Sequence, residues 1–186
     1  FDMIKTSNPD ASVDGFLLAL NWMKLYETET VLAARWGTHE KKVRLTIRTY
    51  IDFIASLKEQ VITWGPFGNE TFIVSIDGTH CPILEPRTDP SSKWFSHKFN
   101  GPGVSYELAI HIWSNKLVWI NGPFHASMHD ITIFRSKEDP SAGLKSKIPD
   151  NKRGIGDSGY SGEPTKVSIT RPDDSEEVKR FKARVK

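Results

Sequence analysis

The sequence predicts an α/β protein, with a small all-helical region over residues 1–64 and a mixed sheet with flanking helices over residues 65–186. Three observations predict this division. Apolar residues recur at helical spacing in the first third of the chain, and the segment Trp-Gly-Pro-Phe-Gly-Asn at residues 64–69 interrupts that spacing. Apolar runs of strand length follow the interruption. A chain of 186 residues has room for both parts.

The composition is typical of a globular protein. The hydrophobic fraction is 38% and the charged fraction is 26%. No apolar run reaches the length of a membrane span, so no membrane partner is expected. Cys81 is the single cysteine; it cannot form a disulfide within the chain, and we expect it to be a small buried hydrophobic residue. A net charge of +2 makes local basic patches more informative than the overall balance.

Helical spacing predicts three helices in the first region, at residues 15–25, 29–35 and 38–57. Gly37 is predicted to close the second helix in a left-handed conformation, which glycine adopts without steric cost. Thr38 is predicted to be the N-cap of the third helix, because its hydroxyl can accept a hydrogen bond from a free backbone N–H.

The third predicted helix carries a basic face. Lys41, Arg44 and Arg48 recur at i, i+3 and i+7, beside the apolar stripe of the same helix. A short helix, a turn containing glycine and a second helix with early basic residues form a helix-turn-helix pattern. The pattern predicts that these three residues bind DNA. The alternative is an ordinary helical hairpin that supports the next domain.

Strand patterns dominate the second region. A run rich in β-branched residues at 72–76 predicts a buried strand. The segment 105–113 alternates, with Tyr106, Leu108 and Ile110 on one face, and a Ser-Asn pair then predicts a hairpin. The remaining predicted elements are a loop at 81–103, a strand at 116–120, a helix at 128–135, a strand that ends at 157 and a helix at 175–186.

Two aspartates occupy matching positions at the ends of predicted strands. Asp77 follows the run at 72–76 and precedes a glycine, and Asp157 follows Gly156 at the end of a later strand. A carboxylate at the end of a core strand is costly unless its charge is compensated, and two of them side by side repel each other. A divalent cation is the usual compensation. The pattern therefore predicts that Asp77 and Asp157 converge and bind Mg²⁺ or Mn²⁺.

Three motifs around these residues resemble the DDE superfamily endonucleases, in particular the transposase-derived group typified by Harbinger and IS5-like elements. They are Ser-Ile-Asp-Gly-Thr-His at 75–80, Gly-Pro-Phe-His-Ala-Ser-Met-His-Asp at 122–130 and Gly-Asp-Ser-Gly-Tyr at 156–160. The basic segment at 93–106 is similar to the loop that precedes the second strand in that family. The resemblance runs over about residues 72–160.

The resemblance implies a fold, an activity and a partner. The fold would be a ribonuclease-H-like mixed sheet, and the predicted order of strand, hairpin, helix, strand and helix agrees with it. The activity would be divalent-metal-dependent phosphodiester hydrolysis or strand transfer on DNA, with Asp77 and Asp157 as the first and second catalytic acids. The localisation would be the nucleus. Whether the chain forms a homo-oligomer or uses an accessory DNA-binding protein stays open.

The third acid of that family, a glutamate on a following helix, has no clear counterpart. Glu176 and Glu177 come too early on the last predicted helix. The nuclease domain over residues 65–186 is therefore expected to be incomplete at its C-terminus and the chain to be catalytically inactive in this form. The alternatives are a non-enzymatic DNA-binding or interaction protein derived from a transposable element, and a degenerate fragment without function.

Asp130 has two interpretations. Ser127 and Asp130 have the spacing of a capping box, which favours a structural role at the start of the helix predicted at 128–135. The resemblance alone adds an auxiliary role at the site.

Other polar residues near the motifs are candidates for substrate contact. His80 follows Asp77 closely enough to contact a substrate phosphate or orient a water, and an ordinary hydrogen-bonding loop residue is the equal alternative. Lys98 lies with Lys93 and His97 in a loop that could meet a DNA backbone. Solvated loop charge is the alternative for these three residues.

Overall fold

A computed structural model describes residues 1–136 and 138–185, without the side chain of Val185. The chain forms two compact units, Phe1–Val61 (the helical unit) and Ile62–Lys186 (the sheet unit). The division lies close to the interruption of helical spacing in the sequence. The α/β class, with a mixed sheet and flanking helices, is confirmed.

The helical unit contains three longer helices and two short ones. They are α1 (Asp2–Ser7), α2 (Val13–Leu25), α3 (Glu29–Arg35), α4 (Glu40–Ser56) and α5 (Lys58–Val61). Leu32 and Val43 are fully buried where α2, α3 and α4 pack together, and Leu18 and Ile47 complete this small core. The apolar stripe of α4 therefore faces the other helices, as the spacing predicts.

Tyr50 fastens α4 to the start of α2. Its hydroxyl donates to the Ser12 carbonyl oxygen at 2.9 Å and accepts from the Ser12 backbone N–H at 2.5 Å. The ring lies against Gly15, where a Cβ would stand only 2.4 Å from Tyr50 Cε2. A glycine in the first turn of α2 is thus required by close packing.

The turn between α3 and α4 confirms one prediction and corrects another. Gly37 has a φ of +60°, the predicted left-handed conformation. The Thr38 backbone N–H donates to the Ala33 carbonyl oxygen at 2.9 Å and completes the C-terminal cap of α3. Because Thr38 belongs to that cap, α4 starts one residue later than predicted. Its N-cap is His39, whose Nδ1 accepts from the Lys42 N–H at 3.2 Å.

The described residues of the sheet unit form six strands and three helices. They are β1 (Phe72–Pro82), β2 (Phe95–Ser96), β3 (Gly101–His111), β4 (Leu117–His125), β5 (Arg153–Gly156), β6 (Val167–Ile169), α6 (Asp130–Arg135), α7 (Leu144–Lys147) and α8 (Glu176–Val185). Single turns of 3₁₀ helix occur at Ser92–Trp94 and Ser158–Tyr160.

Strand β1 is the centre of the sheet. It pairs antiparallel with β3 on one side and parallel with β5 on the other. The order across the sheet is β4, β3, β1, β5, β6, and β2 pairs with the first residues of β3. Ile73 and Val74 are both fully buried although successive strand residues point to opposite faces. The middle of β1 is therefore covered on both faces.

Several boundaries differ from the predicted ones. β1 continues past Asp77 to Pro82, because β3 pairs with it along this length. The segment predicted as a loop at 81–103 contains β2 and the beginning of β3. The short elements β6 and α7 lack a strong apolar period and are absent from the prediction. Cys81, predicted to be buried, is exposed, because β1 extends here beyond the core.

Candidate functional site

The parallel pairing of β1 and β5 brings Asp77 and Asp157 side by side. Ser75 is in register with Ile155, and each aspartate lies two residues further along its strand. Asp77 lies inside β1, whereas Asp157 directly follows the last residue of β5. The two residues that the sequence places 80 positions apart are therefore neighbours at the point where β5 ends.

Asp130 joins these two residues from the start of α6. A Cβ on Gly78 would lie 2.4 Å from Asp130 Oδ1. A Cβ on Gly159 would lie 2.9 Å from Asp130 Oδ2 and 2.9 Å from Asp157 Oδ1. The carboxylates of Asp130 and Asp157 therefore both lie against the same glycine, and neither Gly78 nor Gly159 has room for a side chain.

The predicted capping box at the start of α6 is wrong. The helix begins at Asp130, and its N-cap is His129, so Ser127 lies outside the first turn. Asp130 is the first helical residue, where a carboxylate interacts favourably with the positive end of the helix dipole. Its carboxylate lies against Gly78 of β1 and Gly159 of the turn after β5.

The three carboxylates influence one another. Burial is the largest cause that raises the pKa of Asp130 above its ordinary value of 3.8. The positive charge of Lys98 opposes this effect, and the negative charges of Asp157 and Asp77 add to it. Crowding of like charges in a half-buried position is destabilising unless a cation or a proton balances it.

Backbone hydrogen bonds orient the two strand aspartates. Asp77 Oδ1 accepts from the Gly78 N–H at 2.9 Å. Asp157 Oδ1 accepts from the Gly159 N–H at 2.8 Å and caps the 3₁₀ turn that follows β5. Each carboxylate retains an oxygen outside these bonds, so both can accept a further ligand.

His80 and Lys98 also lie close to Asp130. His80 Nδ1 shares a hydrogen bond of 2.7 Å with the buried Ser96 hydroxyl, and the Lys98 ammonium donates to the Gly78 carbonyl oxygen. Burial, followed by the charge of Lys98, lowers the pKa of His80 from its ordinary value of 6.5, which favours the neutral imidazole. Lys98 is thus placed next to the aspartates, as a basic group that meets a phosphate would need to be.

A cavity of about 390 Å³ opens beside these residues. Its volume falls within the range of small-molecule pockets, about 300–1,000 Å³. Residues of the 95–99 loop, α6 and the turn after β5 contribute to its wall, including His80, His97, Lys98, His129, Asp130 and Gly159. We call this cavity the loop pocket.

Glu107 is a buried acid that sequence reasoning missed. It lies on β3 opposite Gly78, is only 1% exposed, and accepts from Trp119 Nε1 at 3.1 Å through Oε2. Its Oε1 has no hydrogen-bond partner among the described residues. Burial raises its pKa from 4.5 to about 8, so the carboxyl is largely protonated at neutral pH. Its neighbour Tyr106 belongs to the face of the strand that the sequence pattern predicts to be apolar. Because successive strand residues point to opposite faces, that pattern puts position 107 on the solvent side.

The carboxylate cluster meets the chemical requirement for a hard divalent cation only in part. Asp77, Asp130 and Asp157 supply the oxygen ligands that Mg²⁺ and Mn²⁺ prefer. Within residues 1–136 and 138–185, however, no three His, Cys, Asp or Glu side chains are arranged to hold a metal ion. The side chains would have to rearrange before the three carboxylates could share one cation.

Of the acids downstream of Asp157, Glu163, Asp174 and Glu176 form ion pairs with other residues. Glu163 accepts from Arg135 at 2.6 Å and from Lys145 at 3.0 Å. Burial raises the pKa of Glu163, but the two cations outweigh this effect and hold it below 4.5. Glu176 pairs with Lys179 at 3.0 Å, and Glu177 is exposed in the first turn of α8.

The basic face of α4 is exposed but partly neutralised. Arg44 donates to both carboxylate oxygens of Glu29, and this hydrogen bond is the main cause that lowers the pKa of Glu29. Lys41 and Arg48 are exposed on the same helix. The three residues therefore share a face, and the charge of one of them is balanced within the helical unit.

No family model, no curated protein and no solved structure matches the chain. Among the described helices, none combines the length and the apolar character that crossing a membrane requires.

Proposed function

We propose that the chain is a transposase-derived, DDE-type domain of a DNA phosphodiester nuclease, that Asp77, Asp130 and Asp157 form its metal site, and that it is catalytically inactive in this form because the third acid of the family has no clear counterpart among its residues. The observation that carries the proposal is the meeting of three aspartates from β1, α6 and the end of β5. Such crowding of carboxylates is costly for a purely structural site and useful for binding Mg²⁺ or Mn²⁺.

The finer fold assignments belong to the same proposal. A ribonuclease-H-like sheet is supported by the antiparallel β4, β3 and β1 followed by the parallel β5 and β6. A helix-turn-helix in the first unit is supported by α3, the left-handed Gly37 and α4. In this proposal Lys41 and Arg48 are the principal DNA contacts, with Arg44 contributing when Glu29 releases it.

Each residue of the site has a distinct role in the proposed reaction. Asp77 and Asp157 are the catalytic acids and, with Asp130, would hold the cation. The bound metal would offset the negative charge that develops on the phosphate and activate the attacking oxygen. Lys98 would contact the phosphate, and the neutral His80, fixed by Ser96, would orient a water or the substrate. The Asp157 backbone bond to Gly159 keeps the carboxylate aimed at the cluster.

The test begins with metal binding and continues with plasmid nicking. Mn²⁺ titration of the chain should show a site that is lost in Asp77→Asn and Asp157→Asn and weakened in Asp130→Asn. The matched control is Asp173→Asn, which removes an exposed carboxylate outside the cluster. Mg²⁺- or Mn²⁺-dependent nicking should be absent from the chain as it stands, and any nicking that does appear should be lost when one of the same three residues is changed.

The outcomes separate the proposal from its rival. Metal binding without nicking means that the cluster is real but needs a further acid, such as the glutamate that the resemblance implies. Salt-dependent DNA binding without any metal site at the cluster favours a non-enzymatic DNA-binding protein. Robust nicking that persists in Asp130→Asn assigns the third ligand to another acid of this chain.

A further inference from the structure

Two exposed aromatic rings lie in the loop that borders the loop pocket. Phe95 is 38% exposed and Phe99 is 37% exposed, and His97 and Lys98 stand between them. Lys98 and His97 also line the pocket. Two aromatic side chains therefore flank an imidazole and a lysine over residues 95–99, and the imidazole and the lysine line the pocket beside Asp130.

Both rings are held in place by the surrounding structure. The ring of Phe99 rests on glycines of β3: a Cβ on Gly103 would lie 2.6 Å from it and a Cβ on Gly101 would lie 3.6 Å from it. Phe95 is part of β2 and contacts His97 edge to face, with ring centroids 5.1 Å apart. The exposed ring surfaces are thus positioned before any ligand binds.

The loop is also tied to the strand that carries Asp77. The Ser96 hydroxyl, fully buried, accepts from the Lys98 backbone N–H at 3.2 Å and bonds to His80 on β1. The Lys98 ammonium reaches the Gly78 carbonyl oxygen. Because Ser96 and Lys98 fix the loop, the rings keep a defined position relative to the aspartates.

This combination fits one class of ligand. Aromatic rings that flank cationic groups bind single-stranded nucleic acids, because bases stack on the rings while the cations contact phosphates. Bases in a duplex are stacked on one another and offer no free face to Phe95 or Phe99. A duplex would use the positive charges of the loop and leave the two rings without a function.

We propose that the 95–99 loop binds an unpaired strand of nucleic acid, with Phe95 and Phe99 stacking on its bases and His97 and Lys98 contacting its phosphates. The inference rests on the proposed function and narrows its substrate to DNA that is unpaired next to the reacting phosphate. Base stacking tolerates any sequence, so the loop would distinguish unpaired strands from duplexes and would not distinguish one base sequence from another.

The experiment measures binding of a fluorescein-labelled oligothymidylate and of a duplex of equal length to the full chain, in EDTA. Phe95→Ala and Phe99→Ala should each weaken single-strand binding about tenfold and change duplex binding less than threefold. Phe95→Trp and Phe99→Trp should retain binding, since they keep a stacking ring. Trp113→Ala, which removes a 56% exposed aromatic residue outside the loop, is the matched control.

The readouts distinguish this inference from the proposed nuclease activity. Binding in EDTA requires neither metal nor cleavage, so single-strand binding that depends on the two rings upholds the inference even if nicking is never seen. Equal affinity for both probes, or equal losses with both probes in the alanine variants, overturns it. If the alanine variants fail to fold, the tryptophan variants decide: loss of single-strand binding in folded Phe95→Trp and Phe99→Trp also overturns it.

Discussion

The carboxylate of Asp130 fills the space that a side chain on Gly78 would need. A Cβ at Gly78 would lie 2.4 Å from Asp130 Oδ1, closer than non-bonded atoms approach. Gly78 lies on the central strand next to Asp77, whereas Asp130 is the first residue of α6. The absence of one side chain therefore admits a third carboxylate to the pair formed by Asp77 and Asp157.

Gly78→Ala should weaken metal binding about tenfold, because the new methyl group displaces Asp130 from the cluster. Mn²⁺ titration measures the change, and urea unfolding should show that the free energy of unfolding falls by about 1 kcal/mol or less, since Asp130 can rotate toward solvent. Gly101→Ala is the control, because its Cβ would make only an ordinary contact of 3.6 Å. Unchanged affinity in Gly78→Ala would exclude Asp130 as a ligand.

Glu107→Gln should remove a pH dependence of stability. Burial raises the pKa of Glu107 from 4.5 to about 8, so between these pH values the folded chain binds a proton that the unfolded chain does not. The free energy of unfolding of the wild type should therefore fall as pH rises, by up to about 1.4 kcal/mol for each pH unit. Because glutamine cannot ionise, the free energy of unfolding of Glu107→Gln should lack this dependence on pH.

Urea unfolding at pH 5.5, 6.5 and 7.5 measures the effect. The free energy of unfolding of Glu107→Gln minus that of the wild type should increase with pH. Glu177→Gln, which changes an exposed carboxyl on α8, serves as the control and should leave the slope unaltered. A difference between Glu107→Gln and the wild type that stays constant over this pH range would show that Glu107 is already ionised.

Gly15→Ala should destabilise the helical unit, although alanine normally favours a helix over glycine by roughly 1 kcal/mol. The new Cβ would stand 2.4 Å from Tyr50 Cε2, so either the ring or α2 must move, at a cost of about 1–3 kcal/mol. A double-mutant cycle with Tyr50→Leu checks the cause. If the penalty of Gly15→Ala is the same in both backgrounds, the clash with Tyr50 is not its source.

The double variant Lys41→Ala/Arg48→Ala should reduce the slope of log affinity against log salt concentration by about two. Each phosphate contact contributes roughly 0.9 to that slope. Arg44→Ala should have a smaller effect, because Glu29 already balances its charge. Affinities measured between low and moderate salt give both slopes. Lys24→Ala/Lys58→Ala, which removes two exposed lysines elsewhere in the helical unit, is the control. An unchanged slope in Lys41→Ala/Arg48→Ala would show that these residues of α4 do not contact DNA phosphates, and would favour the alternative of an ordinary helical hairpin.

The sequence is informative where local chemistry determines structure. Asp77 and Asp157 stand out because each follows an apolar strand and adjoins a glycine. The left-handed conformation of Gly37 follows from its place after a helix. Helices and strands with a strong apolar period are therefore recognisable, together with the two aspartates that they position.

Features that depend on distant segments are hidden from such reasoning. Asp130 reaches the cluster through the packing of α6, and its capping-box spacing with Ser127 suggests a different role. Glu107 alternates with apolar residues, so its face of β3 looks like the solvent side although it is buried. The length of β1 depends on β3, which the sequence of β1 alone does not reveal.

The parallel neighbour of β1 stops at Gly156, whereas β1 itself runs on beside β3 to Pro82. This difference in strand length leaves a notch in the sheet, and the aspartates, the Gly78 carbonyl oxygen and Lys98 gather in it. The notch exists because one strand is short, and it does not require a gap in the apolar core. Core substitutions outside α6 that alter stability should therefore leave the spacing of Asp77 and Asp157 intact, and the stability of the fold and the chemistry of the site can change independently.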